Sequence, residues 1–258
     1  MGKIYDGFMF FNELELLEIR LNELDQVIDK FILVESPVTH SGNPKPLYYQ
    51  ENAHLFKSFH DRIIHVVYKP PDTQDSWVRE KGQRDAIRLG VPELEDGDFV
   101  IISDADEIPS AESVETYTSD LGVAAFNQNL FYFWLNTYYC GWAGPKAIPY
   151  HEYIKGESLS KLRGRIDNFV PCERYGWHFS YLGGTDRVLQ KLASYAHTEM
   201  DCHENRRNAA NWVDNGMLWN GQQLKTWSID HTFPDYLVQN KNKFSHLIKT
   251  HGNQRIFV

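Results

Sequence analysis

The sequence has no apolar run long enough for a bilayer core. Its longest, around Phe31 to Val34 and Phe99 to Ile102, are strand-length and far below the roughly 20 residues that a spanning helix needs. The N-terminus, Met1-Gly-Lys-Ile-Tyr-Asp6, has no apolar signal-peptide core, and Asp6 stands where a myristoylation signal requires Ser or Thr. Cysteine is scarce: Cys140, Cys172 and Cys202 are odd in number and widely spaced, with no Cys-x-x-Cys pair, which suits free thiols in a reducing compartment. No Asn-x-Ser/Thr sequon is present. These absences predict a cytoplasmic chain with no membrane span. Positive charge is also in deficit, with 26 Lys and Arg against 35 Asp and Glu, and the formal charge of -9 excludes a broad nucleic-acid-binding surface, which needs a net basic footprint.

What is present is an ordinary globular composition, 258 residues with 42% hydrophobic, enough for a single compact domain spanning 1–258. Aromatics are plentiful at 14%, and several stand among polar residues, as in Trp134-Leu-Asn, Tyr138-Tyr139 and Trp212. Aromatic faces beside hydrogen-bonding groups suit sugars, while many of these rings also serve as core and rim.

Strand and helix signals alternate over residues 1–120. Ile4 to Phe11 reads as a first strand. Asn12 with Glu15 reads as a helix start, followed by Leu14, Leu17, Leu21 and Leu24 at helical spacing, with Glu13, Glu18, Arg20 and Glu23 on the polar side. Phe31 to Val34, Ile63 to Tyr68 and Phe99 to Ile102 read as further strands, and Glu51 to Phe59 and Trp77 to Leu89 as helices. This order predicts an α/β fold with a mostly parallel sheet flanked by helices, in which ligands bind beyond the carboxyl ends of the strands. Three of those ends run into polar residues: Asn12-Glu13, Glu35-Ser36 and Ser103-Asp104. Residues 1–120 therefore read as the ligand-binding half. In 121–258 the segments Val123 to Leu135 and Ala147 to Ile154 are strand-like, and a helix is expected from about Asp186 to Tyr195. The remainder is aromatic, His-rich and poorly periodic, an acceptor-side half and tail.

The motif with the most chemistry is Ser103-Asp104-Ala105-Asp106-Glu107-Ile108-Pro109, which follows an apolar strand. Three carboxylates within four residues repel one another unless solvated or neutralised, and oxygen ligands at this density favour Mg²⁺ or Mn²⁺. In transfer from a nucleotide sugar, such an ion stabilises charge developing on the leaving diphosphate. Asp106 is the direct ligand in this reading, Asp104 takes a water ligand or the ribose, and His178 is the first choice for a third ligand, its alternative being an ordinary packed histidine. Lys81, Arg84 and Arg88 share a helical face that meets donor phosphates or, alternatively, is solvated with Lys81 paired to Asp85. The set His197, Glu199, His203 and Glu204 fits no zinc-site spacing.

These residues together resemble glycosyltransferase family 17, enzymes of the β-1,4-mannosyl-glycoprotein 4-β-N-acetylglucosaminyltransferase type. The likeness runs through Phe11 to Arg20, Val34 to Gly42, Lys45 to Leu47, Arg79 to Arg84, Ser103 to Pro109, Gly176 to Gly184 and Lys191 to Glu199. The resemblance implies a GT-A-type, Rossmann-like fold with 1–120 as its nucleotide-sugar-binding half, a UDP-GlcNAc-like donor, Mn²⁺ or Mg²⁺, a glycan acceptor and inversion at the anomeric carbon. By position it points to Glu35, Arg84, Asp104, Asp106, Glu107, His178 and Asp186 as site residues. The lack of an anchor and stem here implies a bacterial or viral type of member acting on another glycan. Inversion needs a base near the acceptor hydroxyl. Asp186 after Gly183-Gly184 is the candidate, equally well explained as a helix-start residue, with Glu107, Glu152 and Glu173 as rivals.

Two other readings compete. Asp104-Ala-Asp106-Glu-Ile108 approaches the nucleophile motif of haloacid-dehalogenase-type phosphohydrolases, in which Asp104 would form a phospho-enzyme. A carbohydrate-binding protein without turnover would keep the same fold.

Overall fold

The computed structural model describes residues 2–250. The alternating first part folds as β1 (Ile4–Met9), α1 (Leu14–Glu23), β2 (Lys30–Glu35), α2 (Tyr48–Asn52), β3 (Ile63–Val67), α3 (Ser76–Asp85) and β4 (Phe99–Asp104), with 3₁₀ turns prolonging α2 to Phe59 and α3 to Leu89. The second part continues with β5 (Glu107–Ile108), α4 (Ala111–Thr116), β6 (Ala124–Ala125), β7 (Gln128–Tyr132), β8 (Thr137–Trp142), β9 (Lys146–Pro149), α5 (Tyr150–Tyr153), α6 (Leu159–Arg163) and β10 (Asn168–Phe169). It ends with β11 (Gly176–Ser180), α7 (Thr185–Leu192), α8 (His203–Asn215), β12 (Lys225–Thr226) and α9 (Asp235–Gln239).

Seven strands form one sheet in the order β10-β6-β9-β4-β1-β2-β3, parallel at every pairing except those of β9. Side chains alternate across it, and both faces are covered, as a parallel sheet requires. Phe8, Phe31, Leu33 and Ile101 pack with α1 and α4, while Tyr5, Ile32, Val34 and Val100 pack with α6 and the turn after α3. Strands β6, β9 and β10, from beyond residue 120, thus extend the sheet begun by the first part of the chain. A second, five-stranded sheet has the order β12-β8-β7-β11-β5. One of its faces is sealed by Trp177, Phe179 and Phe131 against α1 and α9. Among the described residues, no helix is long and apolar enough to cross a membrane, and all three cysteines are free.

Several local expectations change. Ala147 to Ile154 is not one strand, because Pro149 closes β9 and serves as the N-cap of α5. The tail contains α8, whose polar sequence hides a helix that buries only Ala209, Trp212 and Val213. Asn12 does not cap α1; its amide meets Gln190 at 2.7 Å, and Glu13 turns back to accept from the backbone N–H groups of Phe11 and Asn12. Arg20, expected on the solvent side of α1, is fully buried. It forms a bidentate pair with Asp6 from the middle of β1, at 2.5 and 2.7 Å. Lys81 does not pair with Asp85, whose carboxylate accepts instead from Ser158 and Ser160. Arg88 donates to the backbone of Tyr153 and Glu157. Residues 251–258 of the expected tail lie outside the described residues.

Candidate functional site

The carboxyl ends of β1, β2 and β4 open into a cavity of about 580 Å³, closed on its other sides by α3, α6, β11 and α7. Five Lys or Arg side chains line it (Lys45, Lys81, Arg84, Arg163, Lys191) against four carboxylates (Glu13, Glu80, Asp104, Asp106). In a chain of net charge -9 this lining is close to balanced, with fixed cations beside the carboxylates that an anionic ligand could share.

The acidic motif is held from beneath. Arg20 donates to the carbonyls of Asp104 (3.3 Å) and Glu107 (2.7 Å) and to Ser103 Oγ (2.6 Å), so one buried guanidinium fixes the loop as it leaves β4. Glu107 is buried and turned away from the cavity. It accepts from the Asp104 N–H (2.9 Å), Trp142 Nε1 (2.8 Å) and Arg163 Nη2 (2.7 Å). Gly144 makes room for this: a Cβ there would lie 2.0 Å from Glu107 Oε1 and 2.2 Å from Trp142 Nε1.

Asp104 and Asp106 point into the cavity with different partners. Asp104 meets Arg84 at 2.9 Å and Arg163 at 3.2 Å and is 36% exposed. Burial raises its pKa, but Arg163 and then Arg84 outweigh that and hold the carboxyl at about 2. Asp106 is 7% exposed, with Lys191 Nζ at 2.7 Å and His178 Nε2 at 3.6 Å from the same oxygen. Burial opposes its ionisation too, yet Lys191 and His178 keep it far below the carboxylate range. Burial also works against the Lys191 ammonium, and Asp106 with Glu13 more than restores it. The same ammonium lies 5.0 Å from the centre of the Tyr181 ring. Tyr181 has φ of +53°, an unusual backbone for a tyrosine and one found at functional sites. Glu13 responds in the opposite way: burial and the nearby Asp106 charge raise its pKa despite Lys191.

Of the site residues to which the resemblance points, Arg84, Asp104, Asp106 and His178 come together in the cavity, and Lys81 and His197 line it with them. Glu35 does not line it; its buried carboxylate accepts from the N–H groups of Tyr49 (2.9 Å) and Gln50 (3.2 Å) at the start of α2 and from His65 (2.9 Å). Asp186 is exposed in the first turn of α7, off the cavity lining. Glu152 is paired with Lys155 and Arg165, and Glu173 is exposed. Arg163, Lys191 and Glu13 were not among the candidates. Arg163 sits in a basic stretch that reads as solvated, and Glu13 on what reads as the polar side of α1. Among the described residues, no three His, Cys, Asp or Glu side chains converge into a metal-holding group. The repulsion within the acidic motif is relieved by Arg84, Arg163 and Lys191.

The family model of glycosyltransferase family 17 matches residues 1–204. The chain is also similar to the beta-1,4-mannosyl-glycoprotein 4-beta-N-acetylglucosaminyltransferases of Mus musculus (32% identical) and Rattus norvegicus (25% identical), each aligned over 92% of this chain and 53% of the relative. The chain thus spans about half the length of the curated relatives it matches. Among solved structures, the inositol-1-phosphate CTP transferase from T. maritima aligns with a TM-score of 0.33 at 13% identity, over 70% of this chain and 86% of that one, a likeness too slight to bear on the fold. The family match runs through β1, the acidic motif and α7, the elements that build the cavity, and the chain belongs to glycosyltransferase family 17.

Proposed function

We propose that the protein is an inverting glycosyltransferase of GT-A type that moves a sugar, GlcNAc from UDP-GlcNAc in the first instance, onto a glycan hydroxyl. The observation that carries this reading is the gathering of Arg84, Arg163 and Lys191 around Asp104 and Asp106 in a cavity at the ends of parallel strands, where a diphosphate would be met by fixed cations. Arg84 and Arg163 would hold the diphosphate while Lys191 faces the leaving oxygen. For a divalent ion the donor set is oxygen-rich, and Asp104 is its open member, since each of its oxygens takes one donor and retains a lone pair. That fits an Mg²⁺ or Mn²⁺ ion held by one or two carboxylates and the donor's own phosphates, with Asp106 and His178 joining only if Lys191 moves aside. When bound, the ion would neutralise charge on the leaving diphosphate.

Glu13 is the base in this reading. It lines the cavity, is desolvated, and has its pKa pushed up beside an Asp106 whose pKa is pushed down. Two carboxylates driven apart in this way divide into a proton acceptor and a permanent charge. Glu13→Gln is expected to lower kcat by about 10²–10⁴-fold with the donor KM little changed. The wild-type rate should fall on acidification with an apparent pKa above the ordinary 4.5 of a glutamate. An unaltered acid limb in the variant would remove Glu13 from the role. For Arg84→Ala, loss of a charge-assisted hydrogen bond worth ~1.5–3 kcal/mol raises the donor KM about 10- to 100-fold, and an unchanged KM would take Arg84 out of the donor site.

The reading is tested by thermal shift and hydrolysis with UDP-, GDP- and CMP-sugars, with and without Mn²⁺. Stabilisation and slow hydrolysis of a UDP-sugar support it. No response to any nucleotide sugar would favour a carbohydrate-binding protein without turnover.

A further inference from the structure

We infer that the second sheet's face opposite its sealed core, where Tyr132 and Tyr139 are half-buried against α7 and α8 and Trp142 and Trp219 are exposed at the ends, is a binding track for an acceptor oligosaccharide. The inference rests on the transferase reading for the word acceptor; the saccharide track itself rests on the following geometry.

In the register of β7, β8 and β11, Trp142 lies opposite Gln128, Cys140 and His178 lie on either side of Leu130, and Ser180 lies beside Tyr132. Alternate residues share a face, so Trp142, Cys140, His178 and Tyr132 all stand on the side away from the sealed core of Trp177 and Phe179. A register shift between Leu130 and Phe131 brings the Tyr139 ring within 5.8 Å of Tyr132. Trp219 arrives from the turn after α8 and packs edge-on to Tyr132 at 5.7 Å.

This face adjoins the cavity at two points. Tyr132 stacks on Tyr181 at 5.9 Å, and Tyr181 lines the cavity; Trp142 lies 5.1 Å from His178, the neighbour of Asp106. Of the seven tryptophans only Trp77, Trp142 and Trp219 are exposed, at 40, 40 and 45%. The first lines the cavity and the other two stand at the ends of this track. Leaving large rings in water at both ends of one strip forgoes burial energy and marks a contact surface.

The chemistry of the strip selects a sugar. The flat C–H face of a pyranose lies on an indole or phenol ring while its hydroxyls reach the Tyr132 and Tyr139 hydroxyls and water. Between Tyr139 and Trp142 the strand rises about 10 Å at ~3.3 Å per residue, longer than one ring, so the ligand is an oligosaccharide rather than a monosaccharide.

The test uses an array of defined oligosaccharides of mannose and N-acetylglucosamine, probed with the full chain as wild type, Trp219→Ala, Tyr139→Ala and Trp219→Phe. UDP-GlcNAc hydrolysis without acceptor is measured in parallel. The wild type is expected to be retained on oligosaccharides of two or more residues. Each alanine variant should weaken that retention about tenfold, equal to ~1.4 kcal/mol, while Trp219→Phe restores most of it and hydrolysis stays unchanged. The track is overturned if the wild type is retained by no glycan, if neither alanine variant alters retention, or if hydrolysis falls in step with it. Ring-dependent retention with no hydrolysis in the wild type would instead sink the transferase reading and leave the track standing.

Discussion

Asp106→Asn is expected to reduce sugar transfer by about 10²–10³-fold, the scale of losing one preorganised charge at a reacting centre, while the protein remains folded. The carboxylate organises three neighbours. It holds Lys191 at 2.7 Å, faces His178 at 3.6 Å and raises the pKa of Glu13. Asparagine has the same shape and keeps one acceptor, so the wall of the cavity persists. The cost in stability stays below the ~3–5 kcal/mol of breaking a fully buried pair, because the Lys191 side chain is 28% exposed and retains Glu13 as a partner. A second consequence follows for the pH profile. The Asp106 charge raises the Glu13 pKa, so removing it lowers that pKa, and the acid limb of the residual activity moves to lower pH. Rates measured from pH 4 to 8 on wild type and variant check both parts. Turnover close to wild type would remove Asp106 from the catalytic centre, and a limb that stays in place would break its coupling to Glu13.

The parts of this site visible in the sequence were those with a local signature. Three apolar runs followed by polar residues located the working edge of the first sheet, and Asp104 and Asp106 emerge there because an apolar strand delivers them. Arg163 gave no such signal. It reaches Asp104 and Glu107 from 59 and 56 residues away, and between Lys161 and Arg165 it looks like solvated surface. Counting three clustered carboxylates also left out their counter-charges, since a sequence does not reveal which distant cations the fold returns to them. Glu107 shows the effect most clearly: as the third acid of the motif it stood as a rival for the base, yet Trp142 and Arg163, both remote in the chain, make it the buried support of the other two. Helix α8 was hidden for a simpler reason, a nearly all-polar surface with one short buried stripe.

Arg20→Met is the change expected to harm the fold most. Arg20 and Asp6 are both fully buried, and removing the guanidinium leaves a carboxylate in the sheet without a counter-charge, a loss of about 3–5 kcal/mol. It also leaves Ser103 Oγ and the carbonyls of Asp104 and Glu107 short of a donor. The double variant Asp6→Leu/Arg20→Met separates these effects. If charge pairing were all that mattered, apolar residues of similar size would restore stability, as they often do for buried pairs. The three loop acceptors are untouched by that repair, and an unsatisfied buried acceptor costs ~1–3 kcal/mol, so the double variant should recover only part of the loss in urea midpoint. Transfer activity should stay low in both, because the loop carrying Asp104 and Asp106 has lost its anchor. A double variant with wild-type stability and wild-type turnover would mean that the loop holds its shape without Arg20. Wild-type stability with lost turnover would make Arg20 a positioning residue, retained to aim the acidic motif rather than to hold the sheet together.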